Sequence, residues 1–170
     1  MDLKHFVRDV QDFPKPGILF KDITPLLSNP EAFSFAVEQL AKKYQHTKVD
    51  AIAAAEARGF LLAAPLAYLL KKPLIPLRKP GKLPYATTSY SYDLEYGSAS
   101  LHMHVDAIKP GDHVLLVDDV LATGGTMQAA CKLVEQAKGK VAGCAFLIEL
   151  SFLEGAGKLP GYELYCLLSY

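Results

Sequence analysis

Two carboxylates, two threonines and two glycines fall together in Asp118-Asp119-Val-Leu-Ala122-Thr123-Gly124-Gly125-Thr126. The residues before them, 114–117, are continuously apolar, as a central strand covered on both faces requires, and residues 128–137 have helix-forming composition. This spacing predicts a strand-to-helix turn. Open α/β sheets bind ligands beyond the carboxyl ends of their strands, and a helix N-terminus offers unpaired N–H donors and a positive dipole end to an anion. Gly124 and Gly125 let phosphate oxygens approach the backbone, and the Thr123 and Thr126 hydroxyls add donors. Hydrogen bonds to a charged phosphate are about twice as strong as neutral ones. Asp118 and Asp119 repel phosphate, but they accept from vicinal sugar hydroxyls or reach a hydrated magnesium ion. The turn therefore reads as a site for a ribose 5-phosphate group. No G-x-x-x-x-G-K-[ST] occurs and no G-x-G-x-x-G follows a strand, so nucleoside triphosphate and dinucleotide sites lack their usual support.

The elements that must hold this turn follow from periodicity. Residues 51–70 have the length and much of the apolarity of a membrane span, but Glu56, Arg58 and Pro65 interrupt it. A strand at 50–55 and a helix at 60–70 explain it better, leaving residues 56–59 in a loop at a strand's carboxyl end. The Arg58 fork suits bidentate contact with phosphate oxygens; the structural alternative is an ion pair with Glu56. Asn29-Pro30 starts a helix on which Phe33, Ala36, Val37, Leu40, Ala41 and Tyr44 repeat at three and four. Residues 74–77 form a short strand, 101–105 alternate, and 141–150 are another apolar run. Strands thus alternate with helices, which predicts an α/β fold with a central, mostly parallel sheet flanked by helices. Leu3, Phe6, Val7 and Val10 share one helical face and, with the Pro-rich turn at 13–17, form a small N-terminal cap.

Composition sets bounds on the rest. With 170 residues and 51% hydrophobic content the chain suits a single domain spanning 1–170. Lys plus Arg and Asp plus Glu balance at 18 each, which argues against general affinity for nucleic acid or an anionic membrane, although a basic cluster remains at 78–82. Cys131, Cys144 and Cys166 lack C-x-x-C spacing, and an odd count without a secretory leader fits the cytoplasm. They read as small core or surface residues. His102 and His104 form an H-x-H pair without an evident third ligand, so they read as exposed strand residues rather than a metal site.

An apolar strand, two acidic residues and a T-G-G-T-like loop resemble the signature of the type I phosphoribosyltransferases. Phe13-Pro-Lys-Pro-Gly17-Ile-Leu-Phe-Lys-Asp22-Ile, Glu56-Ala-Arg58-Gly-Phe60, Arg78-Lys79-Pro-Gly-Lys82-Leu-Pro84 and Tyr92-Asp-Leu-Glu95-Tyr-Gly97 are similar, in order, to the adenine branch of that family. The resemblance covers most of residues 12–150. It implies transfer of a 5-phosphoribosyl group from phosphoribosyl diphosphate (PRPP) to adenine with magnesium, giving AMP and diphosphate in purine salvage. It also implies a homodimer, a hood over about residues 1–25 that closes on the base, and a flexible catalytic loop at 79–100. By the same resemblance Asp118, Asp119, Ala122, Thr123, Gly124, Gly125 and Thr126 hold the ribose 5-phosphate. Arg58, Gly59, Lys79 and Lys82 meet diphosphate, with Arg78 joining them or reaching a neighbouring subunit, and Leu19, Phe20 and Lys21 meet adenine. Lys21 stands where the family commonly has Arg.

A loop as long as 79–100 in a compact domain is usually functional, and here it carries Lys79, Lys82, Glu95 and Tyr85, Tyr90, Tyr92 and Tyr96. Departure of diphosphate builds oxocarbenium character that water would capture, so a closing lid protects the reaction, with Arg58 and Lys82 stabilising the departing charge. Glu95 is the candidate base for the adenine ring proton. The tyrosines either stack on substrate or form an exposed ribbon. Two further readings stand beside this one: a non-catalytic sensor of PRPP or a purine nucleotide on the same fold, and a transferase for another purine base.

Overall fold

Asp2 accepts the Lys4 N–H and caps a 3-10 turn over Leu3–Phe6, after which the chain becomes a hairpin: β1 (Arg8–Gln11) pairs antiparallel with β2 (Leu19–Asp22). The single helical face expected from Leu3 to Val10 is therefore not formed. Val10 lies on a strand opposite Phe20, because cross-strand pairing outweighs a short amphipathic pattern. Asp22 accepts from the Thr24 N–H ahead of α1 (Thr24–Ser28), and Asn29 Oδ1 accepts from the Ala32 N–H at 2.9 Å to start α2 (Pro30–Tyr44). The computed structural model describes residues 1–93 and 98–170. The chain divides into two compact units, Met1–Gln39 and Leu40–Tyr170.

The second unit is built on β3 (Ala51–Ala55), α3 (Arg58–Leu70), β4 (Leu74–Leu77), β5 (Thr87–Asp93), β6 (Ser98–His104), β7 (His113–Leu121), α4 (Gly125–Gln136), β8 (Lys140–Glu149) and β9 (Leu164–Ser169). Five strands form a parallel sheet in the order β4-β3-β7-β8-β9. Every residue of β3 is buried, as the continuous apolar reading requires. Leu116 and Phe146 join Met127, Ala130, Cys131 and Val134 of α4 in one core. Truncating Leu116, Met127 or Phe146 to Ala costs about 2–5 kcal/mol. Pro65 sits inside α3 and removes the donor that the Leu61 carbonyl would take, yet the helix continues to Leu70. No helix among the described residues is long and apolar enough to cross a membrane.

Several boundaries differ from expectation. α3 starts at Arg58 rather than at residue 60, which puts Arg58 and Gly59 in the helix and not in the loop expected at 56–59. β7 runs on through Asp118 and Asp119 to Leu121, because β8 continues beside it with Asp118 opposite Phe146 and Leu121 opposite Glu149. α4 starts at Gly125 rather than Gln128, set by Gly124 at φ 80. The stretch expected as a loop at 79–100 contains the antiparallel hairpin β5–β6, in register from Thr87 opposite His104 to Asp93 opposite Ser98. Tyr90 and Tyr92 pack on the core from that hairpin, so they are neither an exposed ribbon nor loop residues. The expectation contained neither the edge strand β9 nor β2, which follows directly on the Pro-rich turn.

Candidate functional site

Asp118 and Asp119 leave the end of β7 between two other segments. Asp118 Oδ1 accepts the Asp119 N–H at 2.9 Å. A Cβ placed on Gly59, in the first turn of α3, would stand 2.9 Å from that same oxygen, so α3 crosses β7 where only a glycine fits. Asp119 is 4% exposed, and its Oδ2 lies 2.9 Å from Arg58 Nε. That contact is an ion pair off the N–H axis, and Oδ2 accepts no directed hydrogen bond. Burial, and then the charge of Asp119, push the Asp118 carboxyl well above the ordinary carboxylate range. Burial also pushes Asp119 up, while the Arg58 guanidinium opposes it. Two carboxylates share one buried strand end, and among the described residues Arg58 is the cation that ion-pairs with them, an arrangement that favours added donors or positive charge.

At the same strand end Asp118, residues 120–127 and Phe146 line a cavity of about 70 Å³. Gln128 N–H donates to Gly124 O at 2.9 Å and makes the first bond of α4, so the N–H groups of Gly125, Thr126 and Met127 precede the helical ladder. Three donors at a dipole's positive end suit a dianionic phosphate. The Tyr92 hydroxyl stands 3.4 Å from Thr126 Oγ1 and brings β5 to the rim of this loop, a tertiary contact with no local signal.

A second cluster lies at the ends of β3 and β4. Glu56 accepts the Lys79 N–H and faces Arg78 Nη2 at 3.5 Å; Arg78 Nη1 donates to the Lys82 carbonyl at 3.4 Å. The Lys79 N–H, joined by the Arg78 charge, holds the Glu56 carboxyl below its usual range. Glu56 therefore pairs with Arg78, whereas Arg58 turns to Asp119, contrary to the structural alternative that joined Arg58 to Glu56. The peptide between Glu56 and Ala57 is cis. The Lys79 and Lys82 side chains are exposed.

The structure thus brings together Arg58, Gly59, Asp118 and Asp119, sets Asp118 and Ala122–Thr126 around one cavity, and ties Arg78, Lys79 and Lys82 to Glu56. Leu19, Phe20 and Lys21 belong to the first unit, where they form most of β2. There Lys21 is 8% exposed and its Nζ donates to Asp9 Oδ1 at 2.6 Å. Glu95 and Tyr96 lie outside the described residues. His102 and His104 are half-buried rather than exposed, with the His102 ring between Thr87 and Ser100. Sequence reasoning missed Gly155, whose backbone packs against Ala122 and Gly124.

Doubly wound sheet, acidic strand end and glycine-bounded helix start have a counterpart among known proteins: the model of the phosphoribosyl transferase domain matches residues 25–162. The chain belongs to the phosphoribosyltransferase family. Over its full length it is 55% identical to the adenine phosphoribosyltransferase of Kosmotoga olearia, and 100% of each chain is covered. The crystal structure of adenine phosphoribosyltransferase from Thermoanaerobacter pseudethanolicus superposes with a TM-score of 0.97 at 53% identity, covering 99% of this chain and 98% of that one. The Saccharomyces cerevisiae enzyme, crystallised with adenine and an imino-altritol bisphosphate, gives a TM-score of 0.92 at 37% identity over 98% and 96%.

Proposed function

We propose that the chain is an enzyme that transfers the 5-phosphoribosyl group of PRPP to adenine, forming AMP and diphosphate. The observation that carries this reading is the pairing of a buried acidic strand end with a helix-start anion cavity, faced by Arg58. Similarity to adenine phosphoribosyltransferases over the whole chain supplies the base. In the reaction the bond from the anomeric carbon to diphosphate oxygen breaks, an adenine ring nitrogen bonds to that carbon, and the nitrogen loses its proton.

Thr123, Gly124, Gly125 and Thr126 hold the 5-phosphate, Ala122 lies at the sugar, and Asp118 and Asp119 accept from the ribose hydroxyls. Arg58, Gly59, Lys79 and Lys82 bind diphosphate, and Arg58 and Lys82 stabilise the charge it gains on leaving. Arg78, already engaged with Glu56, keeps the Lys79–Lys82 turn in place beside them. Leu19, Phe20 and Lys21 meet the adenine edge, and Glu95 takes the ring proton.

Magnesium fits the oxygen-only donor set: Asp119 Oδ2 is buried without a directed hydrogen bond, and hard cations are held by one or two carboxylates plus substrate phosphates. Bound there or on PRPP, it would neutralise diphosphate charge. A homodimer is supported by the apolar face of α3, where Leu61, Tyr68 and Leu69 are exposed at helical spacing. Three free cysteines accord with the cytoplasm.

The test is to mix the protein with PRPP and magnesium, offer adenine, hypoxanthine, guanine and orotate separately, and follow nucleotide and diphosphate by chromatography. AMP from adenine alone is expected. Product from another base would overturn the base assignment, and PRPP binding without product would make the chain a sensor.

A further inference from the structure

Between β8 and β9 the chain passes through two 3-10 turns, Ser151–Leu153 and Gly155–Lys158. Gly155 is buried. A Cβ placed on it would fall 2.1 Å from the Ala122 carbonyl oxygen and 3.0 Å from the Gly124 nitrogen, and a Cβ on Gly124 would fall 2.3 Å from the Gly155 oxygen. Two backbones therefore touch with no side chain between them. Gly157, in the same turn, has nothing within 4 Å of such an atom. The contact is also fastened at both ends of the phosphate loop. Before the loop, Leu121 O accepts the Leu150 N–H at 2.9 Å; after it, Gln128 Nε2 donates to Lys158 O at 3.2 Å.

We propose that Gly155 is a positioning residue for 5-phosphate binding: its bare backbone is the wall against which Ala122 and Gly124 are set, and so it fixes where the N–H groups of Gly125, Thr126 and Met127 point. This rests on the reading of residues 122–126 as the phosphate site. A methyl group at 155 must part the two backbones by about an ångström to bring 2.1 Å out to 3.0 Å. Hydrogen bonds to a charged group weaken steeply when their angle and distance change, and a displacement of that size reduces rates by up to about a hundredfold elsewhere.

The experiment compares wild type, Gly155→Ala, Gly157→Ala and Gln128→Ala by calorimetric titration with ribose 5-phosphate, by KM for PRPP and for adenine, and by melting temperature. Gly155→Ala should weaken ribose 5-phosphate and raise KM for PRPP by about tenfold or more, with the adenine KM within about twofold. Gly157→Ala should match wild type, and Gln128→Ala should fall between. Unchanged ribose 5-phosphate affinity in Gly155→Ala would overturn the proposal, as would equal losses for PRPP and adenine, the mark of a merely structural role. If Gly155→Ala does not fold, Gln128→Ala decides: wild-type affinity there overturns it. A wild type that binds no ribose 5-phosphate would overturn the phosphate-site reading itself.

Discussion

Arg58 Nε stands 2.9 Å from Asp119 Oδ2, joining the first turn of α3 to the end of β7. The cation that suits diphosphate is thus held, before any ligand arrives, by the carboxylate that suits the sugar. Arg58→Lys keeps the charge but loses the planar fork, and kcat/KM for PRPP should fall about a hundredfold. Steady-state kinetics at saturating adenine check this; a value within twofold of wild type would contradict the role of Arg58.

Asp118→Asn should trade activity for stability. Asparagine keeps an acceptor for the Asp119 N–H but removes a buried charge beside another. A carboxyl whose pKa rises on folding favours the fold while protonated, and that contribution is lost as pH climbs through its folded value. The variant should therefore gain on wild type as pH rises, reaching about 0.5–2 kcal/mol near neutrality while turnover collapses. Melting curves at about pH 4.5 and about pH 8 measure the difference; a constant gap across that range would refute the assignment.

Gly59→Ala places a methyl 2.9 Å from Asp118 Oδ1 and 3.1 Å from the Val117 carbonyl oxygen. Backbone oxygen cannot swing aside, so overpacking should destabilise the protein by about 1–3 kcal/mol, read from the urea midpoint at unchanged slope. Wild-type stability would show that α3 shifts freely over β7.

Lys21 gives its ammonium to Asp9 across the β1–β2 hairpin. A base read through the backbone of β2 then does not need that side chain, so Lys21→Arg should leave KM for adenine within about twofold, whereas Asp9→Ala should cost roughly 1 kcal/mol of stability. A large change in adenine KM for Lys21→Arg would mean that the side chain itself contacts the base.

How far the sequence discloses this site depends on the range of the interactions involved. Leu74–Leu77 and the start of α2 at Pro30 were legible because burial pattern and a proline are local. The acidic pair and the glycine turn were legible as chemistry, yet their placement was shifted: nothing in residues 118–121 announces that β8 will keep pairing with them. Most of the β5–β6 hairpin fell inside the expected loop although its strands alternate, Ser-Tyr-Ser-Tyr at 89–92 and Ser-Ala-Ser-Leu-His-Met-His at 98–104, because their short polar residues are also those of loops. Gly155 was illegible. It and Gly157 look alike in sequence, and only the fold brings one of them against Gly124.

The turn leading into Arg58 at the start of α3 and the turn leading through Thr123 and Gly124 into α4 issue from β3 and β7, which are adjacent in the sheet. Neighbouring strands stand about 4.8 Å apart whatever their sequence. The span between the two proposed anion sites is thus measured out by the sheet's own hydrogen-bond pitch, as on a ruler with fixed gradations. Mutation within the loops can retune how firmly each end of a substrate is gripped, but a substrate with its charges spaced one gradation wider would need a different order of strands.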